Sequence, residues 1–177
     1  MNGRASRLAD AATCATSMIW DEAMDLSDLI KPDAILGSLK ANSKKQVIQA
    51  LAEKAAEMTG IEERQIFETL LQREKLGSTG VGGGIAIPHG KLAKLDRIFG
   101  LFARLPKPVD FEALDDQPVD LLFLLLAPEG AGADHLKALA RIARLFREPG
   151  VVSKLRASSD KSALYAVLTE GATPDAA

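Results

Sequence analysis

The chain has 177 residues, enough for one well-cored domain, or one domain plus a tail. Hydrophobic residues make up 47%, charged residues 26% and aromatics only 5%, so the core has to be aliphatic. With 22 basic and 24 acidic side chains the net charge is −2, which leaves no basic footprint for nucleic acid, and no apolar run reaches the ~18 residues of a membrane span.

Residues 1–24 have no hydrophobic period and many small or polar side chains, and read as a flexible N-terminal extension. Arg4 and Arg7 precede an apolar stretch, but Ala9–Trp20 is interrupted by Asp10 and contains no leucine, so it makes a poor signal peptide. Trp20 is placed to pin the end of the extension onto the domain. Cys14 is the single cysteine, no internal disulfide can form, and a reducing, cytoplasmic setting is expected. At the other end, residues 171–177 (Gly-Ala-Thr-Pro-Asp-Ala-Ala) read as a frayed tail.

Between these tails, strand and helix patterns alternate. Ala34–Leu39 is a short apolar segment with the look of a strand. Ser43 with Gln46 three residues later forms a capping box, and Val47, Ile48, Leu51, Ala52 and Ala55 then recur on one helical face until Gly60. Glu62 and Glu63 suit the positive start of a second helix, whose apolar face is Ile66, Phe67, Leu70 and Leu71 and which Gly77 stops. Five glycines in the eight residues of Gly77–Gly84 read as a loop feeding a short strand, Ile85–Pro88.

Ile98–Leu105 and Asp120–Ala127 are two further strands. The second has no polar face, which predicts a central strand covered by helices on both sides. A long helix is expected from about Asp134, with Leu136, Leu139, Ala140, Ala143 and Phe146 buried and Lys137, Arg141, Arg144 and Arg147 on the solvated face. Gly150–Arg156 and Asp160–Leu168 read as two closing helices. The order is that of an α/β layered domain.

Only two histidines occur, and His89 lies in the stretch Gly82-Gly83-Gly84-Ile85-Ala86-Ile87-Pro88-His89-Gly90. Three kinds of chemistry compete for it. A nucleotide cradle fits poorly: a Walker loop needs four residues between its first glycine and Gly-Lys, followed by Ser or Thr, whereas five residues separate Gly84 from Gly90 and Leu92 follows Lys91. The dinucleotide fingerprint fails as well, and these glycines precede the strand. A zinc site on His89 and His135 lacks the third and fourth ligands such sites use.

The third reading is a phosphoryl acceptor. That chemistry needs a ring nitrogen in line with phosphorus and donors for the equatorial oxygens, and an imidazole of ordinary pKa ~6.5 is largely neutral near pH 7. Glycines leave room for a second protein and offer N–H groups that can form an anion nest, while Pro88 stiffens the backbone before the nucleophile. Taken alone, Arg73 and His135 read as surface helix residues.

Glu74, six residues, then Val81 through Gly90 satisfies in full the phosphohistidine signature of the mannitol/fructose-type enzyme IIA domains of the bacterial phosphoenolpyruvate-dependent phosphotransferase system (PTS). The run from Arg73 to Lys91, with Asp116-Gln117-Pro118-Val119-Asp120-Leu121-Leu122, looks most like the nitrogen-regulatory branch. The resemblance spans roughly residues 26–170 and places an EIIA type-2 domain at residues 25–170. It implies a three-layer α/β/α sandwich with a small mixed sheet. It also implies a phosphocarrier needing no cofactor or metal, with His89 phosphorylated at Nε2 by an HPr-type carrier and with His135 and Arg73 supporting the phosphoryl group.

Expected output partners are regulatory proteins such as potassium transport systems or sensor kinases. No nucleic acid and no membrane insertion are expected. The other reading within the family is a sugar-specific IIA that passes phosphate to a IIB component for fructose or mannitol uptake. From a different class, a pure interaction module would use the same surface without phosphorylation.

Overall fold

The structure, a computed structural model, describes residues 25–170. The expected N-terminal extension with Cys14 and Trp20, and the C-terminal tail, lie outside the described residues.

A four-residue helix α1 (Leu26–Leu29), capped by the Asp25 carboxylate, leads into strand β1 (Ile30–Leu36). This strand begins four residues before the expected one. Its first half hides in the sequence because Lys31, Pro32 and Asp33 are exposed and only Ile30 is buried there. Helix α2 (Lys44–Thr59) starts as the capping box predicts: Ser43 Oγ accepts the Gln46 N–H at 3.2 Å. The Gln46 side chain reaches back to the N–H of Asn42 at 2.8 Å, one residue beyond the usual partner. All five expected core residues of α2 are fully buried, and Gly60 ends the helix at φ +76°. Helix α3 (Glu63–Leu76) buries Ile66 and Leu70, and also the charged Glu74.

The glycine-rich segment is not one loop. It contains β2 (Gly80–Gly82), which turns through Gly83 and Gly84, both at positive φ, into the antiparallel β3 (Ile85–Ala86). Pro88 has no N–H to give to a ladder. The chain therefore breaks there and resumes as β4 (His89–Leu92) along the same neighbour. Strands β5 (Phe99–Val109) and β6 (Val119–Pro128) form a long antiparallel pair. Strand β5 outlasts its expected end because a register shift after Arg104 carries the exposed Pro106-Lys107-Pro108 stretch to a last pairing of Val109 with Val119.

The sheet order is β1-β5-β6-β3-β2, with β4 also on β6, and both parallel and antiparallel pairs occur. Leu121 through Ala127 of β6 have no exposure at all, so both of its faces are covered. The chain closes with α4 (Ala133–Leu145), α5 (Pro149–Ala157) and α6 (Lys161–Glu170). At the end of α4, Phe146 packs on Phe102 and Phe123 of the sheet, with ring centroids 6.4 and 6.2 Å away. Elsewhere α2 packs on α3, and α6 on β1 and α5. Helices thus cover both faces of a six-stranded mixed sheet in a three-layer α/β/α sandwich.

The expected buried face of α4 is corrected. His135, Ala138, Ile142 and Leu145 face the core, whereas Leu136 is 68% exposed and Ala140 is exposed. Phe146 is buried as expected and Leu139 and Ala143 are half-buried against the core, so the helix is rotated by about one residue from the expected face.

Candidate functional site

His89 opens β4 and is paired with Leu125 of β6, while Pro88 C=O accepts the Leu125 N–H at 2.9 Å. The half-buried imidazole is thereby fixed to the most deeply covered strand. Gly90 follows it, and a Cβ there would lie 2.8 Å from Thr69 Cγ2. Absence of a side chain at Gly90 lets α3 rest on the backbone of β4. Arg73, four residues beyond Thr69 on the same helical face, then reaches the ring.

The Nε–H of Arg73 donates to Nε2 of His89 at 3.2 Å, and its Nη1 donates to the Gly77 carbonyl at 2.9 Å. Nδ1 of His89 lies 2.9 Å from the Ile87 carbonyl. A guanidinium only donates and a carbonyl only accepts, so the consistent neutral ring carries its proton on Nδ1 and a lone pair on Nε2. Burial holds the His89 pKa below the ordinary 6.5; Ile87's carbonyl opposes this, Arg73's charge adds to it and Glu74's opposes it.

His135, in the first turn of α4, is only 5% exposed, and its ring centroid is 5.7 Å from that of His89, edge to face at 63°. Its Nδ1 is buried with no hydrogen-bond partner. Burial, then the positive charge that His89 and Lys91 can carry, pull its pKa below 6.5. Both shifts favour the uncharged ring at neutral pH.

His89, Arg73 and His135 meet at an open depression of about 810 Å³. Its rim carries Leu76 and Leu136, 85% and 68% exposed, together with Lys75 and Lys91. The glycines on its wall are Gly90 and Gly132. Of the glycines expected to offer N–H groups to an anion, Gly82, Gly83 and Gly84 do not line this depression. The N–H of Gly83 is taken by Asp115 Oδ2 at 2.9 Å, and its carbonyl by Arg156 Nη2 at 2.6 Å. Arg156 in turn pairs with Asp120 at 2.8 Å, and the Gly84 carbonyl accepts the N–H groups of Asp120 and Leu121. These glycines exist for a tight hairpin: Gly84 has φ +80°, and a Cβ there would stand 2.5 Å from Arg156 Nη2.

Sequence reasoning missed one further group. Glu74 is 6% exposed, and both its oxygens accept the Thr79 N–H, at 3.0 and 3.2 Å. Thr79 Oγ1 donates to Oε2 at 2.5 Å, and Lys44 Nζ lies 2.9 Å from Oε1. A signal was present in the fixed spacing of Glu74 ahead of Val81–Gly90, but spacing alone does not reveal burial.

Residues 28–171 match the family described as "Phosphoenolpyruvate-dependent sugar phosphotransferase system, EIIA 2", so the chain belongs to that family of phosphotransferase-system components. A nitrogen regulatory protein from Bradyrhizobium diazoefficiens is 69% identical over 145 residues, covering 82% of this chain and 95% of that protein. The nitrogen regulatory protein of Escherichia coli (strain K12) is 38% identical over 159 residues, covering 89% and 98%. Among solved structures, the nitrogen regulatory protein IIA-Ntr of Neisseria meningitidis superposes with a TM-score of 0.78 at 35% identity, covering 81% of this chain and 99% of that one.

Proposed function

We propose that the protein is a cytoplasmic phosphocarrier that accepts a phosphoryl group on Nε2 of His89 from an HPr-type phosphohistidine protein and regulates partners according to its phosphorylation state. The observation that carries this reading is the pair of opposed contacts of Arg73 and Ile87 on His89, consistent with a lone pair on Nε2, at an open depression rimmed by Leu76, Leu136, Lys75 and Lys91.

The transfer balances without further reactants. The bond from Nε2 to phosphorus forms as the donor ring's nitrogen–phosphorus bond breaks. A donor ring protonated on its other nitrogen leaves as neutral imidazole, while the His89 ring becomes the cation. Its Nδ1–H then makes a charge-assisted bond to the Ile87 carbonyl. Arg73 holds the lone pair until the phosphoryl group arrives, then exchanges one bond to a neutral nitrogen for bonds to anionic oxygens. His135, close by and uncharged, supplies an N–H to another oxygen.

The phosphoryl oxygens bring about −1.5 to −2 charges to the depression, offset in part by the unit positive charge of the ring, and this new anionic group lets a partner distinguish the two forms. The similarity to nitrogen regulatory proteins supports a regulatory output, with potassium transport systems and sensor kinases as the kind of target expected. Among the described residues no helix is long and apolar enough to cross a membrane.

Incubation with enzyme I, an HPr-type carrier and phosphoenolpyruvate tests the proposal by intact mass. The parent gains one phosphoryl group and His89→Ala gains none; equal labelling of that variant overturns the assignment. The family's own description names a sugar phosphotransferase system, so a second arm offers the labelled protein to a sugar-specific IIB component. Rapid loss of label there favours a sugar-uptake role over regulation.

A further inference from the structure

We propose that Glu74 is a positioning residue for phosphoryl acceptance, setting the ring state of His89 and the seat of Arg73 through its grip on Thr79. This rests on the reading of His89 as acceptor, and Glu74 itself touches neither the ring nor the place where phosphorus would sit.

Burying a carboxylate is unfavourable unless its oxygens are fully engaged, and a buried ion pair such as that with Lys44 adds little net stability. The engagement of Glu74 is nevertheless complete, through two donors of Thr79 and one of Lys44. What it specifies is the path of the chain from α3 into β2. Within that bend the Gly77 carbonyl receives Arg73 Nη1 at 2.9 Å, and the Thr79 carbonyl receives the Ile87 N–H at 3.0 Å. The Ile87 carbonyl faces His89 Nδ1 at 2.9 Å, and Arg73 closes the circuit on Nε2 at 3.2 Å.

One short bend thus anchors both the cation and the strand that fixes the nucleophile's proton. Free histidine in water favours the proton on Nε2, so the site has to reverse that preference. If Thr79 shifts, the Ile87 carbonyl turns from Nδ1 and the proton returns to Nε2, where it blocks attack. Misplacement of about an ångström at such a contact can cost about a hundredfold in rate. The negative charge of Glu74 also works against that of Arg73 on the basicity of His89.

The test uses the full chain with Glu74→Gln, Thr79→Val and Thr79→Ser. Ring nitrogen-15 NMR reads the His89 tautomer, and rapid-quench kinetics reads phosphoryl uptake from a phosphorylated HPr-type carrier. In Glu74→Gln and Thr79→Val the Nε2–H form is expected to rise, and the maximal uptake rate to fall about tenfold to a hundredfold. The half-saturating carrier concentration should not move, because the rim is untouched. Thr79→Ser, which keeps the hydroxyl, restores most of the rate. Should Glu74→Gln fail to fold, the threonine pair decides alone. An unchanged tautomer ratio with uptake within about twofold of the parent in Thr79→Val overturns the proposal. If the parent itself takes up no phosphoryl group, the functional reading fails separately, and the ring spectra still decide the positioning.

Discussion

Arg73 donates its Nε–H to Nε2 of His89 across 3.2 Å, a contact from a helix to the first residue of a strand sixteen positions later in the chain. It puts a permanent positive charge beside a ring whose neutral form burial already favours. Removing that charge has two separable effects. Arg73→Ala should slow phosphoryl uptake by about a hundredfold to a thousandfold, the range for losing a preorganised donor. Arg73→Lys recovers part of this, since lysine keeps the charge and loses the fork. In Arg73→Ala the His89 pKa should rise, because Arg73 is one of the groups holding it down. Quench kinetics and an NMR titration measure the two effects on one sample.

Acid should weaken the fold through both histidines. Burial holds each pKa below 6.5 in the folded chain. Between 6.5 and those lower values the unfolded chain binds more protons than the folded one. Stability is therefore complete above pH 6.5 and is lost as pH falls through that window. Denaturant unfolding at a series of pH values measures this, and His135→Gln should flatten the acid limb. Phosphoryl uptake by the parent should likewise persist below pH 6.5, where an ordinary histidine would be mostly protonated.

Neighbouring glycines should separate stability from activity. Gly84→Ala meets both positive φ and Arg156, and should cost about 2–4 kcal/mol. Gly83→Ala has positive φ but open space around the new methyl, and should cost about 1 kcal/mol. Neither glycine faces His89, so folded Gly83→Ala should accept phosphate within about twofold of the parent. A large loss of uptake in that folded variant would restore the anion-nest reading of this loop.

The rotation of α4 has its own test. Leu136 is exposed at the rim and Ile142 is fully buried. Leu136→Asp should leave stability within about 0.5 kcal/mol, yet raise the half-saturating concentration of an HPr-type carrier about tenfold, as for an interface anchor. Ile142→Ala should instead cost about 2–4 kcal/mol by opening a cavity. Thermal unfolding and uptake kinetics on the two variants check both outcomes.

The legible parts of this chain are those governed by local rules. The capping box of α2, its five-residue core face, the stop at Gly60 and the apolar run of β6 each depend on a few neighbouring residues. What escaped depends on distant parts of the chain. The start of β1 carries three exposed residues and is a strand because Gly100 of β5 lies opposite Ile30. The glycines of the β2–β3 turn read as an anion cradle because nothing local announces that Asp115 and Arg156 occupy their polar groups. The phase of α4 was misread because Leu136 belongs to a rim that helical periodicity cannot distinguish from a core. At the site, the signature residues Glu74 and His89 were visible as letters, while the burial of Glu74 and the tautomer of His89 follow only from what folds around them.

His89 is anchored, through β4, to a strand sealed on both faces, so the backbone of the proposed acceptor is held in place. On the proposed role every visitor would bring its own group to that stationary point, through the one depression that His89, Arg73 and His135 share. On that role, donor and recipient would have to take turns, and the traffic would be set by who leaves first.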